Sequence, residues 1–173
     1  MDLSFPIGQF TWPETVDSEQ RRQMIDAVAG APAGFREAVR GLGDAQLDTP
    51  YRPDGWTVRQ VIHHVADSHI NSYVRFRLAL TEEQPAVKGY DEKEWAKLHD
   101  SHTMPVEVSL QLLDSLHSRW VDMLRSMSDA DFARSFRHTE LGLIRLDQNL
   151  ALYAWHSRHH AAHITGLRER MGW

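Results

Sequence analysis

The sequence predicts an all-α fold, a four-helix bundle with long connections. Three observations carry this. Four long segments have apolar residues at helical spacing, Pro/Gly-rich stretches separate them, and at least two of the connections are too long for simple turns. At 173 residues, with 42% hydrophobic and 25% charged residues, the chain has enough apolar material for one folded domain spanning residues 1–173. The first segment covers residues 18–42, with a break expected near Gly30 and a restart at Pro32. The second begins at "TVRQ", where Thr57 and Gln60 have capping-box spacing, and runs to about residue 80. The third follows Pro105 and reaches about residue 127. The fourth follows Asp147, taken as its N-cap, and runs to about residue 171. Of the connections, 81–104 predicts a short helix around "DEKEWAKL", and 128–146 a turn or a short extended pair.

A formal net charge of -5 with mixed signs argues against a nucleic-acid partner. No apolar run approaches the roughly 20 residues of a membrane span, and the N-terminus lacks signal-peptide features, so a cytoplasmic protein is expected. The chain has no cysteine. Any metal must therefore be held by nitrogen and oxygen, and any thiol chemistry needs a thiol that arrives with the substrate.

The fourth helix contains "WHSRHHAAHI", with four of the eleven histidines in ten residues. At 100° per residue, Leu152, His156, His160, His163 and Leu167 form one stripe, His159 lies near its edge, and Ala151, Arg158 and Thr165 lie opposite. Stacked imidazoles on an apolar stripe cost free energy unless their polar edges are paired. A divalent ion resolves this, because residues four apart lie one above the other and can converge at roughly 2.0–2.1 Å per Zn–N bond. Both His156/His160 and His159/His163 have that spacing, and the wheel favours the former. A third ligand must come from elsewhere. On the second helix His64 and His69 are comparable candidates, while His63 points away.

The motifs "WTVRQVIHHVADSH" and "WHSRHHAAHI", with "FPIGQF", "LDTPYRPDGW" and "AAHITGLRERMGW", resemble the DinB-like four-helix bundles, most closely their YfiT/BstA branch. The resemblance covers essentially the whole chain. It implies one divalent ion per subunit, zinc or nickel, on His64, His156 and His160, and a homodimer. It also implies a metal-dependent hydrolase or an S-transferase that joins a low-molecular-weight thiol, such as bacillithiol, to an electrophilic small molecule. Three imidazoles leave a coordination position for either nucleophile. A non-catalytic metal-binding stress protein is the third reading.

Other residues have narrower expectations. His163 is the candidate for proton transfer or for orienting a ligand, with a core histidine bonded to a carbonyl as the alternative, and His159 is expected to be half-exposed or an orienting partner. Asp67 is a candidate acceptor for a ligand N–H, or a solvated side chain. Arg75, Arg77, Arg145 and Arg158 could meet substrate carboxylates, with surface ion pairs as the alternative. Trp56, Trp95, Trp120 and Trp155 are assigned to core packing, and His99, His102, His117 and His138 to surface or loops.

Overall fold

The computed structural model describes residues 2–173. In chain order the elements are α1 (Ser18–Val39), α2 (Asp44–Leu47), α3 (Val58–Thr81), β1 (Ala86–Val87), α4 (Glu92–Trp95), α5 (His99–Thr103), α6 (Val106–Ser126), α7 (Asp129–Ala133), β2 (Ser135–His138), β3 (Gly142–Arg145) and α8 (Leu146–Met171). The long helices α1, α3, α6 and α8 form the expected bundle. Among the described residues no helix is long and apolar enough to cross a membrane.

Local chemistry sets most helix ends. Asp17 caps α1 by accepting from Gln20 N at 2.8 Å, and Gln20 Oε1 accepts from Asp17 N at 3.0 Å. Thr57 and Gln60 make the same reciprocal pair at the start of α3. Gly172, at φ 69°, closes α8 in the left-handed conformation that glycine tolerates best. The expected start of α8 is corrected by two residues. Arg145 is its N-cap and Asp147 lies in the first turn, because β3 feeds directly into the helix.

The predicted break near Gly30 does not occur. Pro32 lies inside a continuous α1, where proline lacks the N–H that would bond Val28 O. That carbonyl is instead satisfied by His117 Nδ1–H from α6, at 2.8 Å. Burial of Ala31, Pro32 and Phe35 on α1 further favours the unbroken helix.

Helix α1 packs on α8 and α6, and α3 packs on α6 and α8, so α1 and α3 are diagonal. Two apolar clusters fill the bundle. One joins Ile25 and Val28 of α1, Phe76 of α3, Trp120 and Leu124 of α6, and Leu146 and Leu150 of α8. The other joins Phe35, Val58, Ile62, Leu110, Leu113, Ile164 and Leu167. The N-terminal halves of α3 and α6 thus share an end with the C-terminal halves of α1 and α8. Neighbouring α3 and α6 therefore run parallel. The connection between them must return along α3, a helix of 24 residues and about 36 Å. This is why 82–105 is long. It carries β1, α4 and α5, and β1 adds in parallel to the β2–β3 hairpin.

Candidate metal centre

Between the two apolar clusters lies a belt of imidazoles. His64 from α3 and His156 and His160 from α8 place one ring nitrogen each within 4.8 Å of one another. Their ring centroids are 5.4 Å (His64–His156), 4.8 Å (His64–His160) and 4.4 Å (His156–His160) apart. One turn on, His159, His160 and His163 form a second such group sharing His160. The first group borders a cleft of about 340 Å³ whose walls include Trp56, Tyr153 and Trp155. His163 is not among the cleft's lining side chains.

Burial pushes all three imidazoles of the first group towards the neutral state. His64 is lowered from 6.5 to about 4 by loss of hydration and then by His159 and His163. His156 and His160 are held well below 6.5, again mainly by burial, with their histidine neighbours adding to the effect. Neutral imidazole is the ligating form. His160 Nδ1 is buried without a hydrogen-bond partner. Nitrogen donors that are neutral, convergent and incompletely satisfied fit a divalent borderline ion.

Two further imidazoles, His117 and His69, fix the tautomer of His156. His117 Nδ1 must donate to Val28 O, because a carbonyl only accepts; neutral His117 then offers Nε2 as an acceptor. His69 Nδ1–H fills that acceptor at 2.7 Å, leaving His69 Nε2 bare. His69 Nε2 in turn lies 3.3 Å from His156 Nδ1, which donates to it. Nothing in this order is arbitrary: the α1 carbonyl dictates three tautomers in succession. Its outcome is a lone pair at His156 Nε2, with the ring held from behind as metal-bound histidines commonly are.

His69 is therefore a hydrogen-bonded partner of the group, and His64 is the α3 histidine that the structure brings to His156 and His160. His63 faces away, accepting from Ser109 Oγ at 2.7 Å and donating to Met104 O at 3.1 Å. His163 Nε2 donates to Ser4 O at 3.2 Å, and its ring stacks on Tyr51 with centroids 4.0 Å apart. His159 is buried and stacks on Trp155 at 4.3 Å, not half-exposed at an edge. Ala151 is also buried, because α8 packs on several faces at once. Asp67 forms no bond to a ligand histidine; burial and Asp100 raise its carboxyl from 3.8 to about 6.

Several loop and surface assignments need correction. His117 is 2% exposed and His138 is also buried. His117 follows the α6 stripe Leu110, Leu113, Trp120, Val121 and Leu124, so the wheel applied to α8 would have found it. His138 alternates inward with Phe136 on β2. Among the tryptophans only Trp120 is fully buried. Trp56 lies 4.6 Å from His64, centroid to centroid, and Trp155 borders the cleft, while Trp95 is exposed. Arg145 pairs with Asp147 at 3.0 Å, and Arg77 and Arg158 are exposed. His99 and His102 are exposed, as expected, but lie on the second of two short helices.

Comparison with known proteins gives this geometry a family. A relative in Bacillus mycoides (strain KBAB4), named "Putative metal-dependent hydrolase", is 53% identical over 99% of both chains. YfiT of Bacillus subtilis (strain 168), with the same designation, is 51% identical over 100% of this chain and 98% of its own. The solved structure of YfiT, described as having an unusual four-helix bundle topology, superposes with a TM-score of 0.97 over 100% of this chain and 99% of that one. TT2238, another four-helix bundle protein, shares the fold at a TM-score of 0.59 and 18% identity, covering 88% of this chain and 99% of its own. The sequence profile of the DinB superfamily matches residues 27–164, a span that includes His64, His156 and His160, and the chain belongs to that superfamily.

Proposed function

We propose that this protein is a divalent-metal-dependent enzyme that joins a low-molecular-weight thiol to an electrophilic small molecule, with zinc or nickel held by His64, His156 and His160. The observation that carries the reading is the convergence of three neutral imidazoles on the border of a cleft. An ion held by three such donors keeps a position for a thiol or a water and lowers its pKa, which supplies the nucleophile. The chain's own residues do the rest. His69 holds His156 in its ligating tautomer. Trp56 and Trp155 wall the cleft and limit water around the reacting atoms.

Among the described residues no carboxylate oxygen joins either histidine group. A thiol, whose pKa begins near 8.5, depends less on an adjacent base than water does. With no cysteine in the chain, no protein thiolate competes for the ion. In the transfer a carbon–sulfur bond forms, the leaving group departs with its electron pair, and the thiol proton passes to solvent.

The names of the relatives favour a second reading, hydrolysis by an activated water. Glu92 and Glu140 on the cleft border are its available bases. Metal analysis of His64→Ala, His156→Ala and His160→Ala is expected to show each variant losing most of its ion; full occupancy in all three refutes the ligand assignment. Metal-loaded protein is then given monochlorobimane with and without bacillithiol. Enzyme-accelerated conjugate formation supports transfer, and turnover indifferent to the thiol supports hydrolysis.

A further inference from the structure

Arg75 is a cleft residue whose charge its surroundings do not balance. It lies on α3, is 9% exposed, and borders the same cleft as His64, His156 and His160. Among the described residues no carboxylate lies within 4.0 Å of its guanidinium, and it makes no side-chain hydrogen bond. Buried arginines are ordinarily paired, because an uncompensated buried charge is expensive. The other buried arginine among the described residues, Arg59, is held by Asp44 at 2.8 Å and Asp48 at 2.6 Å.

Two neighbours of Arg75, His138 and Tyr153, are kept uncharged. His138 is lowered below 6.5 by burial and then by Arg75 itself, and burial raises the Tyr153 hydroxyl above 10.0. Tyr153 spends its hydroxyl on Ser68 O at 3.0 Å. His138 Nδ1 accepts from Glu140 N at 3.2 Å. Of the two carboxylates on the cleft border, Glu92 and Glu140, neither pairs with Arg75; that of Glu140 lies over Gly89, where a Cβ would stand 2.8 Å from Oε1. A cleft of about 340 Å³ with an unpaired cation on one wall has room for a small ligand.

We infer that Arg75 is the anchor for an anionic oxygen group, carboxylate or phosphate, on the small molecule that enters the cleft. A guanidinium offers planar, paired N–H donors that match such a group, and desolvation strengthens the contact. The substrate class is then an acidic small molecule, in which the anion fixes the end remote from the reacting atom. This rests on the metal-site reading above.

The test uses the full chain loaded with cobalt and a matched pair of thiols, mercaptosuccinate and uncharged 1-thioglycerol. Because the chain has no cysteine, any thiolate-to-cobalt absorption band reports the added thiol. Wild type is expected to bind mercaptosuccinate at least tenfold more tightly than 1-thioglycerol. In Arg75→Met the preference should disappear while 1-thioglycerol binding and cobalt content stay unchanged; Arg75→Lys should retain part of it. An equal preference in wild type and Arg75→Met overturns the inference, as does a wild type with no preference.

Succinate and inorganic phosphate, followed by quenching of Trp56 and Trp155, read the anion site without the thiol and identify which group it takes. If neither thiol gives a band although cobalt is bound, the thiol reading fails, and the anion arm still decides the role of Arg75. Thermal unfolding supplies a further check. Removing an unpaired buried charge should leave the metal-free melting temperature equal or higher, whereas a clear fall in Arg75→Met would mean that Arg75 has a structural partner and would overturn the assignment.

Discussion

At the scale of single residues, His117 matters more than its distance from the cleft suggests. Its Nδ1–H replaces the bond that Pro32 cannot give Val28, and its Nε2 sets the tautomer of His69. These two duties can be separated. His117→Leu should cost about 1–3 kcal/mol, since it strands a buried carbonyl and the His69 N–H, and should weaken zinc binding roughly tenfold. In the Pro32→Ala background the helix N–H returns to Val28 O, so the stability cost of His117→Leu should shrink while the loss of affinity remains. A double-mutant cycle by urea unfolding, with chelator competition on the same four proteins, measures both; an unchanged stability cost would show that the carbonyl is not what His117 satisfies. The histidine stripe on α8 was readable because its spacing is regular. His117 has no neighbouring histidine, and its partners are separated from it by 48 and 89 residues, so its role depends on contacts that spacing cannot express.

At the scale of elements, helix ends were legible wherever a cap was local, as at Asp17 and Thr57, and illegible where a distant residue intervened. The unbroken α1 is the clearest case, because the partner that makes Pro32 tolerable comes from another helix. The N-terminal arm is another. Residues 2–14 lie along α8: Ser4 O receives His163 Nε2, Phe5 and Phe10 meet His159 and Trp155, and Pro13 O and Glu14 O receive Gln148 and Arg145. Deleting residues 2–11 should therefore lower the melting temperature by several degrees and expose His159 and His163, seen as faster modification by diethylpyrocarbonate. Unchanged reactivity of both histidines would mean that the arm does not cover them.

At the scale of the whole molecule, the imidazole belt makes stability depend on pH. His64, His159 and His163 each fall from 6.5 in the unfolded chain to about 4 in the folded one, chiefly through burial. Between these values the unfolded state binds more protons, so the free energy of unfolding decreases as pH falls from about 6.5 towards 4. Metal-free protein should show its urea midpoint dropping steadily through that window. Saturating zinc should hold the midpoint up near pH 6 and lose that effect as protons displace the ion. A flat midpoint from pH 7 to 4.5 without metal would contradict the burial described for the belt. The number of long helices and the length of their connections were legible from periodicity and punctuation. The parallel course of α3 and α6 was not, since helix direction in a bundle depends on which halves share a core.

That parallel course has a consequence for how the protein can change over evolutionary time. The three convergent histidines, His64, His156 and His160, stand on α3 and α8, whereas Gly89, Tyr90, Glu92, His138, Glu140 and Leu141 reach the cleft from the return crossover and the hairpin region. Reactivity and selectivity are thus inherited on different parts of the chain. Exchange of the 82–105 segment can retune what enters the cleft while the ligating helices keep their register, so one scaffold can diverge in substrate without renegotiating its chemistry.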